Sequence, residues 1–157
     1  MNITNELLKK HHACREGCKW FLNQNDSKHD VVLLKLVEEN HYDWANWLIV
    51  RLLNKKQKTQ YAVFAAECVI FIYEEKYPDD SRPREAIQAA KACIEHNTKK
   101  DRAAAYAAAA YAAYAAAWAA AYAADAAADA AAYAADAADD AADVKTKIIK
   151  YGSGLIS

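Results

Sequence analysis

Glycine and proline are scarce in this 157-residue chain, numbering three and two. With glycine confined to Gly17, Gly152 and Gly154, and with no alternating runs of Val, Ile and Thr, a β-rich fold is excluded. The same scarcity removes phosphate-cradling loops, dinucleotide fingerprints and the G-x-S-x-G elbow, and no other nucleophile constellation stands out. A surplus of positive charge is also missing. Lys and Arg number 20 against 21 Asp and Glu, for a net charge of -1, so a general binder of nucleic-acid polymers is not expected. The opening "MNITNELLKKHHACREG" lacks the apolar run of a secretory signal. Cys14, Cys18, Cys68 and Cys93 are therefore read as reduced thiols of a cytoplasmic protein.

What remains reads as all-α, a multi-helix bundle in one domain over residues 1–157, with residues 1–100 of mixed composition and 101–150 alanine-rich. A first helix is expected from about Asn5 to Asn23, with Gly17 as a weak spot. The loop "NQNDSKHD" follows, and Asp30 is placed to cap "VVLLKLVEEN". Asp43 is placed to cap "WANWLIVRLLN", which carries Trp44, Trp47, Leu48 and Leu52 on one face. "KKQK" separates that helix from "TQYAVFAAECVIFIYEEKY", where Tyr61, Phe64, Cys68, Phe71 and Ile72 recur at helical spacing. This helix should stop at Tyr77, ahead of Pro78. Ser81 and Pro83 then open another helix, and Thr98 with Asp101 form a capping-box pattern before the alanine run.

Between Ala103 and Asp143, 29 of 41 residues are alanine and the others are Tyr, Trp or Asp. Large residues fall at Tyr111, Tyr114, Trp118, Tyr122, Asp125, Asp129, Tyr133, Asp136 and Asp140, spaced by three or four in an eleven-residue repeat. On a helix they form one ridge, while the smooth alanine faces let neighbouring helices approach closely. Such faces suit a helical hairpin, a single long helix or a homo-oligomeric contact. Ala103 to Ala124 carries no charge for 22 residues, but alanine is only marginally apolar and tyrosines lie along its middle, so no membrane anchor is expected.

Candidate chemistry is sparse. His11, His12, Cys14 and Cys18 have metal-ligand residue types, but C-x3-C is not a zinc-knuckle spacing and no second pair follows, so neither metal nor cofactor is expected. Glu67, Glu74 and Glu75 read as a solvated helix face, and no enzyme is expected. Arg82 and Arg84 flank Pro83 at a helix start, where guanidinium and backbone N–H groups suit an anion as well as neighbouring carboxylates. Trp44 and Trp47 suit either a core or a stacked planar ligand.

The stretch "YPDDSRPREAIQAAKA", residues 77–92, with its aromatic-Pro-x-Asp-x-Arg-Pro-Arg-x-Ala-Ile pattern ahead of an alanine-rich tail, resembles the immunity protein family of the fifth numbered type in bacterial polymorphic toxin systems. "ACREGCKWF" (13–21) and "DWANWL" (43–48) resemble stretches of related bacterial and phage proteins. The resemblance spans about 13–143. It implies an all-helical fold, a characteristic arginine at Arg82 or Arg84, and a role in neutralising a partner.

Two readings stand at this point. The first is a non-enzymatic immunity-type inhibitor of a toxin or effector with a basic surface, using the acidic ridge of Asp125, Asp129, Asp136 and Asp140 with Tyr122 and Tyr133 as anchors. The second is a phage-type counter-defence protein that sequesters a small nucleotide signal, with Arg82 and Arg84 on phosphate and Trp44 and Trp47 on the base.

Overall fold

A computed structural model describes residues 1–96, 98–100, 103 and 134–156, with 134–141 described in their backbone only. Every named element among them is an α-helix. In chain order these are α1 (Asn5–Lys10), α2 (Arg15–Leu22), α3 (His29–Glu38), α4 (Tyr42–Leu52), α5 (Lys55–Lys76), α6 (Arg82–Glu95) and α7 (Ala134–Leu155). Two compact units result, one of Met1–Lys58 with Lys145–Ser157, the other Thr59–Val144. Tyr111, Tyr114, Trp118, Tyr122, Asp125, Asp129 and Tyr133, and with them the choice between hairpin and rod, lie outside the described residues.

In the first unit α3 packs on α4 and α1 on α2. The apolar positions of "VVLLKLVEEN" and "WANWLIVRLLN" bury Val32, Leu33, Leu36, Ala45, Leu48 and Ile49, and Ile3 completes the core at 1% exposure. The chain before α1 is tied down as extended backbone, the Ile3 N–H donating to the Ser27 carbonyl at 2.7 Å. Residues from the end of α7 return to this unit, where Ile149, Gly152 and Ile156 are buried and the Leu155 carbonyl accepts from Gln57 Nε2.

The expected first helix is in fact two. After Lys10 the chain closes a Schellman turn: His12 sits at φ 57, its N–H reaches the Lys9 carbonyl at 3.0 Å, and the Ala13 N–H reaches that of Leu8 at 2.9 Å. Cys14 then caps α2, its Sγ accepting from the Gly17 N–H at 3.3 Å. Gly17, expected as the weak spot, lies inside α2. A second Schellman turn ends α3, with Asn40 at φ 60 donating to Val37 and His41 donating to Leu36. Both turns use a residue other than glycine in the left-handed region, which is why no glycine marked them. His and Asn are among the side chains that enter this region most often.

The expected caps shift as well. Lys28 and His41 stand at the N-caps of α3 and α4, leaving Asp30 and Asp43 inside their first turns. "KKQK" is the start of α5 rather than a separator. Asn54 Oδ1 accepts from the Gln57 N–H at 3.0 Å and Gln57 Oε1 accepts from the Asn54 N–H at 2.8 Å, a reciprocal capping box.

In the second unit α5 and α6 form an antiparallel pair around Val63, Ile70 and Ile87, with Ala66, Ala90 and Ile94 packed against them. Burial raises the Tyr61 hydroxyl pKa to about 12. Phe71 and Ile72, which recur with Tyr61 at helical spacing, are 59% and 60% exposed. The face that meets α6 is the one carrying Val63, Ala66 and Ile70, so α5 has a second apolar face turned outward.

Candidate functional site

The turn from α5 to α6 places both arginines of the Arg-Pro-Arg motif. Pro83 takes the first helical turn, where its missing N–H has no carbonyl to meet. Ser81 stands at the N-cap but makes no capping bond there; its hydroxyl donates to Glu85 Oε1 at 2.6 Å. The turn is closed instead by Asp80. Its Oδ1 accepts from Arg82 Nε at 2.7 Å and from the Arg82 backbone N–H at 3.1 Å. Its Oδ2 accepts from Arg82 Nη2 at 2.6 Å and from the Tyr73 hydroxyl at 2.7 Å.

Arg84 makes the same forked contact one helix across, with Nε donating to Glu74 Oε1 at 2.7 Å and Nη2 to Oε2. Seven residues further along α6, and seven back along α5, Lys91 Nζ donates to Glu67 Oε1 at 2.6 Å. Two turns of helix separate the rungs on each side, so the charged edge of the hairpin is zipped in heptad register. Glu67 and Glu74, which the sequence presented as a solvated face, are thus partnered.

These contacts set the electrostatics. Hydrogen bonds from Arg82 and then from Tyr73 hold the Asp80 carboxyl well below the usual carboxylate range, and that from Arg84 lowers Glu74. The Arg82 guanidinium is raised in turn by Asp80, as is the Tyr73 hydroxyl. Carboxylates with depressed folded values contribute stability that is complete above their ordinary values, 3.8 for Asp80 and 4.5 for Glu74, and is lost as pH falls through the folded ones. The thermal midpoint of the wild type should therefore exceed that of Asp80→Asn at about pH 6, and the gap should shrink steadily below pH 3.8. A gap that is unchanged or wider in acid contradicts the assignment.

The shallow depression beside the turn is lined by Lys76, Tyr77, Asp79, Asp80, Ser81 and Arg82, together with Pro78. A phosphate entering it would meet two aspartates, and the guanidinium it sought is already forked onto one of them. Trp44 and Trp47 lie in the first unit, where both line one cavity with Trp20. The remaining sites expected from sequence are Tyr122, Tyr133, Asp125 and Asp129, outside the described residues, and Asp136 and Asp140, whose backbone lies in α7. The break between α1 and α2 also removes the single helix face that would have carried His11, Cys14 and Cys18 together.

Residues 51–152 match the family described as "Imm-5 like putative immunity protein". The chain belongs to this family. The match covers the whole α5–α6 hairpin with its Arg-Pro-Arg turn, so the resemblance carried by residues 77–92 holds. Residues 1–56 match a second family, "YdhT N-terminal domain", which takes in α1 to α4. Neither the search of curated proteins nor that of solved structures gave a match. Membership gives the chain an immunity-type role in general terms and supports a non-enzymatic one. Among the described residues no helix is long and apolar enough to cross a membrane.

Proposed function

We propose that this immunity-type protein neutralises a toxin or effector by binding it directly, in the cytoplasm and without catalysis. The observation that carries the reading is the immunity-family match over 51–152. The second apolar face of α5 adds support. A helix apolar on both sides is normally enclosed by its own protein, and here Phe71 and Ile72 remain exposed beside a face already packed on α6. Such a face suits the apolar core of a protein–protein interface, which needs a polar rim around it. Asp125, Asp129, Asp136 and Asp140 supply acidic groups for the basic surface of the partner, and Tyr122 and Tyr133 supply aromatic anchors. Arg82 and Arg84 act through the hairpin, fixing the register that presents α5.

The test is growth of bacteria producing a candidate toxin partner. Co-production of the wild-type chain should restore growth and yield a stoichiometric complex. Restored growth with no complex, or no restoration by a soluble, folded chain, overturns the reading.

A further inference from the structure

The first unit contains a cavity of about 350 Å³, at the lower end of the range for small-molecule sites. Its walls are mainly apolar, and Trp20, Trp44 and Trp47 are all among them. Each indole is held from outside the cavity. Trp20 Nε1 donates to Glu39 Oε2 at 2.6 Å. The His41 ring stacks on Trp44 with centroids 4.2 Å apart and planes 16° from parallel, and the Arg51 guanidinium lies over Trp47 at 4.5 Å. Glu39, His41 and Arg51 do not line the cavity, so the tryptophans are fixed by groups that leave its interior clear.

Gly17 shows how closely the wall is built. A Cβ there would stand 3.2 Å from Cys14 Sγ and 3.9 Å from Trp44 Cδ2. The two Schellman turns also contribute: the first brings Leu8, His12 and Ala13 to the wall, and the second directs His41 onto the back of Trp44.

Charge chooses the ligand. Asp43 is the one carboxylate on the lining, no Lys or Arg joins it there, and it forms no ion pair among the described residues. It is exposed, which puts it on the solvent side of the cavity. Indole faces are electron-rich and attract cations, and they also accept stacked rings. An anion would face that carboxylate with no Lys or Arg on the lining to offset it. We infer that the first unit holds a binding site for a small arylalkyl amine, with its ring among Trp20, Trp44 and Trp47 and its ammonium beside Asp43. The site lies in the segment matched as the YdhT N-terminal domain and does not depend on the neutralisation of a toxin.

Three probes that share a phenethyl group separate the alternatives: phenethylamine, 2-phenylethanol and 3-phenylpropionate, titrated into the full chain. Trp118→Phe leaves three indoles, all on the cavity, and their Nε1–H signals are followed by nitrogen-15 NMR. Phenethylamine should shift all three saturably and bind about tenfold more tightly than 2-phenylethanol, with 3-phenylpropionate weakest. Asp43→Asn should cut that preference to about threefold, the remainder being what the indole faces supply. The proposal is overturned if no probe gives saturable shifts, if the carboxylate binds as well as the amine, or if Asp43→Asn, still folded by its amide spectrum, keeps the full preference. The comparison of probes on the unchanged Asp43 stands even if the variant fails to fold.

Discussion

Replacing Phe71 and Ile72 together by aspartate should abolish protection against the toxin and weaken the complex at least a hundredfold. Both side chains are more than half exposed, on the side of α5 away from Val63 and Ile70, so their loss leaves the hairpin core untouched. Buried interface anchors cost about 2–4 kcal/mol each when truncated, and two new carboxylates would also have to be desolvated. On a partner whose surface is basic, charge alone would favour the added aspartates, so lost affinity reports the apolar contact and not a general electrostatic effect. Gln88→Ala, at an exposed position of α6, is the control and should bind like the wild type. Unchanged neutralisation by the Phe71/Ile72 variant would remove this face from the interface and leave the acidic ridge as its remaining candidate.

Ile49→Ala should lower the unfolding free energy by about 3 kcal/mol. Ile49 has 0% exposure and lies in the core of the first unit with Leu33 and Val32. Truncation removes the transfer free energy of the lost methylene and methyl groups and leaves a void that a close-packed core fills only in part. Against a total stability of about 5–15 kcal/mol the loss is large. Urea unfolding should show a lower midpoint with an unchanged slope. A change below about 0.5 kcal/mol would mean that this position is not packed as described.

The helical class and the α3, α4 and α6 segments were legible because apolar spacing and an N-terminal proline are local signals. The helix ends were less so. Two of them depend on His12 and Asn40 entering the left-handed region, a choice that glycine would have announced and these residues do not. Which face of α5 is buried was also hidden: both Val63–Ile70 and Phe64–Ile72 have helical spacing, and only the position of α6 decides between them. The Arg82 and Arg84 motif was visible, but its chemistry was not. Asp80 lies two residues from Arg82 and could be anticipated, whereas Glu74 reaches Arg84 only because the hairpin is antiparallel. The heptad offset shared by Glu67 and Glu74 on one side and Arg84 and Lys91 on the other is the sequence signal that would have revealed it. Trp44 and Trp47 were singled out, but Trp20 joins them only through the break between α1 and α2 that brings α2 onto the cavity.

Direct binding of a toxin is the central claim, and native mass spectrometry of the chain co-produced with its cognate toxin tests it most directly. A complex of defined stoichiometry containing both polypeptides, absent when Phe71 and Ile72 are replaced by aspartate, is the predicted result. A chain that flies alone under conditions where the toxin is present and inactive would contradict it.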